Sequence, residues 1–248
     1  MKGGNWKTIS SERHFTDRNL EVVTDRVQTP ARPDPRAWTI VHRKPAVVIA
    51  PMTRDGKIIL IRQERIPIRQ AIWEMPSGQI DDHDGGEDKI KDTALREVRE
   101  ETGYELAPNG GLISLGYFFS SPGFTDERGY FFLARPVQPC AEGPDRDEGE
   151  SILDCRGFTG EEIRRMIAEN EIRDANTLGI CATLAARVNL CGVQLRAQFA
   201  RAAHQIGMNM GFENVRNTDA CLPRRFNVDV AISSRIKYRR HSFVIVAD

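Results

Sequence analysis

The run Leu95-Arg96-Glu97-Val98-Arg99-Glu100-Glu101-Thr102-Gly103-Tyr104 constrains this chain more than any other stretch. As a helix it aligns Glu97, Glu100 and Glu101 at i, i+3 and i+4, on one face. Like charges at that spacing oppose a helix by roughly 0.2–0.5 kcal/mol per pair, so the row needs a compensating partner. Ile90, Ala94 and Val98 form a second stripe that can bury the helix while the acids face a cleft. Gly103 stands where a left-handed residue would end it.

The acids have two readings. They can form a solvated face balanced by Arg96 and Arg99. Alternatively, they can hold a hard divalent cation against a phosphorylated ligand, since such cations take oxygen donors. Arg-Glu-Val-Arg-Glu-Glu-Thr-Gly-Tyr favours the second. It resembles the second half of the Nudix box, Gly-x5-Glu-x7-Arg-Glu-apolar-x-Glu-Glu-x-Gly-apolar, and from Arg96 to Tyr104 every fixed position matches.

Around this helix the chain reads as mixed strands and helices. Strands are expected at Trp6–Arg13, Leu20–Gln28 and Ala37–Arg43, with Thr29–Pro35 as a proline-rich turn. Three strands with few apolar residues must lean on something else. The β-branched run Ala46–Ala50 and the run Ile58–Ile61 flank Asp55-Gly56, a hairpin signal. Further strands are expected at Gly111–Ser120, Tyr130–Ala134 and Ile152–Phe158. Thr159 and Glu162 make a capping box for the next helix. Asp174 caps a last helix, Ala175–Val188, in which Leu178, Cys181, Ala182 and Leu184–Ala186 are expected to be buried. The class is α+β, with an N-terminal β segment (1–43), a main domain (44–188) and a basic tail (189–248). From residue 187 onward the chain has ten Lys/Arg against four Asp/Glu. That excess is read as a solvated appendage, since it carries no zinc pattern or legible reader helix.

Lys+Arg and Asp+Glu each number 35, so no global charge points to nucleic acid or a membrane surface. Five cysteines without a C-x-x-C pair read as reduced thiols. No signal-like apolar run opens the chain and no stretch nears the ~20 apolar residues of a membrane span. The expectation is a cytoplasmic protein.

The resemblance extends to Trp73-Glu74-Met75-Pro76-Ser77-Gly78, Ser121-Pro122-Gly123-Phe124-Thr125-Asp126-Glu127 and Glu171-Ile172-Arg173-Asp174-Ala175, which look like the ADP-ribose pyrophosphatase branch. It implies a Nudix-type α/β/α sandwich, a mixed sheet between helices, whose N-terminal antiparallel strands make a swapped homodimer. It implies Mg²⁺, with Mn²⁺ as the alternative, held by Glu97 and Glu101, with Glu100 auxiliary and the Ser77 carbonyl as a backbone ligand. Arg96 would orient the carboxylates. Glu148, or failing it Glu150, would be the general base. Arg65 would hold a phosphate. Glu127 would fix its loop or meet a water or ribose hydroxyl. Trp38 would stack on adenine or anchor the dimer. The implied reaction is hydrolysis of ADP-ribose, or a related nucleoside diphosphate sugar, to AMP and ribose 5-phosphate in the first case. The alternative from another class is an ADP-ribose-sensing regulator whose basic tail binds nucleic acid.

One departure stands out. From Gly78 to Arg96 the separation is 18 where the family pattern gives 14, so four residues are inserted. Asp84 and Asp88 occupy the two places where the pattern would put its first glutamate, and the nearest Gly-Glu is Gly86-Glu87. The insertion puts efficiency in question more than chemistry.

Overall fold

The computed structural model describes residues 6–81, 86–146, 149 and 151–187. Its centre is strand β4 (Ala46–Thr53), buried on both faces over Val47–Met52. That is why its sequence is a continuous apolar run rather than an alternation. Five strands run in the order β10-β5-β4-β9-β8, where β5 is Ile58–Arg65, β8 Tyr104–Phe119, β9 Arg128–Pro139 and β10 Ile152–Phe158. Strand β6 (Gln70–Glu74) pairs with β5, and β7 (Ser77–Gln79) with β4. The β4–β9 pair is parallel and its neighbours are antiparallel, so the sheet is mixed.

Alternation along these strands makes two cores. Val48, Ala50, Leu60, Phe131 and Leu133 face Ile163 and Met166 of α2 (Gly160–Ala168) and Ile180 and Leu184 of α3 (Ala175–Arg187). Val47, Ile49, Ile59, Phe132 and Ala134 face Ala94 of α1 (Gly86–Glu97) and Val98. Each fully buried aliphatic side chain contributes about 1.5–3 kcal/mol. Helices therefore cover both faces of the sheet, which is the expected sandwich.

Several boundaries differ from expectation. β1 runs Lys7–Thr16, β2 Leu20–Thr29 and β3 Arg32–Arg43, so the turn shrinks to Pro30-Ala31 and β3 takes in Pro33 and Pro35. β3 is an edge strand of this three-stranded sheet, where a missing N–H is tolerated. β8 starts at Tyr104 and absorbs an irregularity between Leu106 and Gly111 through Asn109 at φ 66°. The 55–56 turn joins β4 to β5 as expected, but only Met52 and Ile58 pair across it, because β4 turns to β9 and β7.

In α3 the buried stripe is Thr177, Ile180 and Leu184, whereas Ala182, Ala185 and Ala186 are exposed. Alanine favours helix whether or not it is buried, so those residues carried no burial signal. Both predicted caps are present. Thr159 and Glu162 exchange hydrogen bonds, and Asp174 Oδ2 accepts from the Thr177 N–H and hydroxyl at 2.7 Å each. Thr177 Oγ1 also accepts from the Met75 N–H at 2.9 Å, tying α3 to the segment that leads into β7. Thr177→Val would strand that buried N–H and lower stability by about 1–3 kcal/mol. Denaturant melts should show this loss, and Thr177→Ser should recover most of it.

The N-terminal sheet leans on the loop at 121–127. The Val41 N–H donates to the Phe124 carbonyl at 2.8 Å, and the Trp38 indole N–H to the Gly123 carbonyl at 2.9 Å. His42 Nδ1 lies 2.6 Å from Asp126 Oδ2. No helix among the described residues is long and apolar enough to cross a membrane.

Candidate active site

The acidic run is not plain α-helix to its end. After Glu97 the backbone widens into a π-helical turn over Val98–Thr102 and stops at Gly103, which is left-handed at φ 71°, as expected. Inserted π turns are frequent at functional sites. Glu97 at the end of α1 and Glu101 in the turn lie against β7. Glu97 and Glu101 are almost wholly buried, at 5% and 1% exposure, while Glu100 is half-buried.

β7 supplies the other half of the site. The Ser77 N–H donates to Glu101 Oε2 at 2.9 Å. Gly78 lies so close to Glu97 that a Cβ there would fall 2.0 Å from its carboxyl carbon and oxygen. Arg96 Nη2 donates to Glu97 Oε1 at 2.5 Å, and Nη1 to Glu100. Burial works against its charge, but the carboxylates of Glu97 and Glu100 raise its pKa above the usual guanidinium value. Arg96 thus bridges two of the acids, rather than making only the i,i+4 pair of a solvated face.

The donor set suits a hard divalent cation: two buried carboxylates and a half-buried third, with one guanidinium holding two of them. Among the described residues, no three His, Cys, Asp or Glu side chains make a ready metal cage. Mg²⁺ needs none, because it keeps several waters and takes one or two carboxylates plus substrate phosphates.

Among the described residues, Arg65, Glu127 and Trp38 each have partners of their own. Arg65 is held by Glu74, whose Oε1 and Oε2 accept from Nε at 2.9 and 3.2 Å and whose Oε2 accepts from Nη2 at 3.0 Å. Glu127 accepts from the Ser120 hydroxyl at 2.7 Å and pairs with Arg43 at 3.1 Å, so it fixes the 120–127 loop. Trp38 is 56% exposed and anchored through its N–H. Glu148, Glu150 and Asp84 lie outside the described residues. Glu87 and Asp88 are exposed and pair with Lys91 in the first turn of α1.

Glu74 has no legible role in the sequence, because its partner Arg65 lies on another strand. Burial pushes its carboxyl up to about 7, against the lowering effect of Arg65. A raised carboxyl pKa means the folded state keeps a proton that the unfolded chain has released. The stabilisation is complete below pH 4.5 and is lost as pH rises through about 7. Urea melts should show Glu74 contributing a decline of about 3 kcal/mol across that window, and Glu74→Gln should flatten it.

Residues 42–178 match the family model for the NUDIX domain, more than half of the chain. The chain belongs to the Nudix family. The ADP-ribose pyrophosphatase of Bacillus subtilis is 33% identical over 177 residues, covering 71% of this chain and 91% of that one. The methanol dehydrogenase activator of Bacillus methanolicus is 34% identical over 172 residues, 69% of this chain and 88% of that one. A crystal structure described as an ADP compounds hydrolase superposes with a TM-score of 0.61, covering 75% of this chain and 95% of its own, at 18% identity. That likeness speaks for the fold. By this family match and these relatives, the protein is a Nudix hydrolase.

Proposed function

We propose that this Nudix hydrolase cleaves the diphosphate of ADP-ribose, giving AMP and ribose 5-phosphate, with Mg²⁺ as cofactor and Mn²⁺ able to replace it. The observation that carries the proposal is the packing of Glu97 and Glu101 against Ser77-Gly78. Its weight comes from a likeness that spans 91% of an ADP-ribose pyrophosphatase and 71% of this chain. A bound divalent cation would neutralise the diphosphate and lower the pKa of a bound water.

The chain's own residues have separate tasks. Glu97, Glu101 and the Ser77 carbonyl would hold the cation, Glu100 would assist, and Arg96 would orient the carboxylates. Glu148, with Glu150 as the second candidate, would accept the proton of the attacking water. Arg65 would take a phosphate bidentately by exchanging its Glu74 partner. Trp38, half exposed on the N-terminal sheet, would stack on adenine or anchor a second copy. The proposal includes a cytoplasmic homodimer formed through residues 1–43, a catalytic domain over 44–188 and a basic tail beyond it. The nucleic-acid-binding regulator is the weaker reading, since Glu97, Glu100 and Glu101 are intact and the tail has no legible reader helix.

The test is an assay of the purified full chain with Mg²⁺ and ADP-ribose, ADP-glucose, GDP-mannose, NADH and diadenosine polyphosphates. ADP-ribose is expected to turn over fastest, releasing AMP and ribose 5-phosphate. Hydrolysis of none of them would overturn the proposal, and a faster nucleotide sugar or dinucleotide would replace the substrate.

A further inference from the structure

The last carbonyls of a helix have no donors within it. At the end of the acidic turn, four successive carbonyls each find one from outside. Glu100 accepts from the Asp145 N–H at 3.1 Å, and Gly103 from the Cys140 N–H at 2.8 Å. Glu101 accepts from Arg146 Nε at 3.3 Å, and the Cys155 thiol lies 3.7 Å from the Thr102 carbonyl. Three of the four donors belong to the segment 140–146, which crosses the end of the turn. A Cβ on Gly103 would come within 2.8 Å of the Pro144 nitrogen, so the crossing is close.

Arg146 differs from the other donors. Its Nη1 also donates to the Ile152 carbonyl at 3.1 Å, so one guanidinium joins the turn to strand β10. Each bond is charge-assisted and stronger than a neutral one. The π turn is an irregularity within the helix, and its last carbonyls are held by these outside donors. The turn's shape in turn sets where the Glu97, Glu100 and Glu101 carboxylates point.

We infer that Arg146 is a positioning residue that holds the acidic turn in its cation-binding shape by bridging the Glu101 and Ile152 carbonyls. The inference rests on the assignment of Glu97 and Glu101 as cation ligands. Partners that orient ligands typically account for 10–100-fold in metal affinity or activity. A purely structural stitch would change stability and leave affinity alone.

The test is Mn²⁺ binding to the full chain without substrate, followed by electron paramagnetic resonance of free Mn²⁺ and by calorimetry. Wild type, Arg146→Gln, Arg146→Lys and Glu101→Gln are compared, with melting temperatures alongside. Arg146 is exposed, so its variants are expected to fold. Arg146→Gln should raise the Mn²⁺ Kd about tenfold. Arg146→Lys should recover only part, because an ammonium cannot match the fork that spans two carbonyls. In steady-state assays the Mn²⁺ concentration for half-maximal rate should rise while substrate KM at saturating Mn²⁺ stays put. Wild-type Mn²⁺ affinity in both Arg146 variants, with Glu101→Gln weakened, would overturn the inference alone. Unchanged affinity in Glu101→Gln would overturn the ligand assignment beneath it.

Discussion

Exchanging Glu101 for glutamine is expected to leave the fold in place and remove about a thousandfold of the hydrolytic rate, ~4 kcal/mol in barrier terms. Glutamine is nearly isosteric and keeps an oxygen for the Ser77 N–H, so the hydrogen bond at 2.9 Å can persist. What disappears is one negative charge at a site 1% exposed, where charge–charge interactions are screened least. A melting temperature equal to or above wild type, with kcat collapsed, is the expected pair of results. Glu100→Gln should cost less, because Glu100 is half-exposed and already shares Arg96. Full activity in Glu101→Gln would move the metal bed elsewhere.

Gly78→Ala is expected to damage activity more than stability. The added methyl would lie 2.0 Å from the Glu97 carboxyl and 2.6 Å from its Cγ, closer than real atoms approach. The obstructed atoms belong to the far end of a side chain rather than to backbone, so the carboxylate is displaced while the strand stays. Overpacking of this kind costs about 1–3 kcal/mol. A displaced cation ligand should lower kcat about a hundredfold or more, by the scale of misplaced active-site groups. A double-mutant cycle isolates the cause: in a Glu97→Ala background, Gly78→Ala should cost almost no stability. A Gly78→Ala protein as active and stable as wild type would show that Glu97 does not rest on this strand.

Much of the molecule was legible because its signals are local. The Ala46–Ala50 run announced a strand, and Thr159 with Glu162 and Asp174 announced two helix starts. The acids were legible through spacing and resemblance. The π turn was not, since i+3 and i+4 acids look the same whether or not the backbone inserts a residue below them. Ala182, Ala185 and Ala186 misled because helix preference and burial coincide in alanine. Pro33 and Pro35 misled because a sequence does not say which strand is an edge. The Arg65–Glu74 and Thr177–Met75 links join distant segments, and only the folded register reveals them.

The acidic turn also occupies an awkward end of its helix. A helix carries partial negative charge at its C-terminus, where anions are disfavoured by about 0.3–1 kcal/mol each, and up to ~2 when partly buried. Glu97, Glu100 and Glu101 all sit there, two of them buried. The backbone field therefore adds to whatever attraction the carboxylates exert on a cation. Occupancy of this turn and the stability of the whole domain are then one linked equilibrium. On the proposed assignment of these acids, the divalent-ion content of the surroundings would set how firmly the protein stays folded as well as how fast it works.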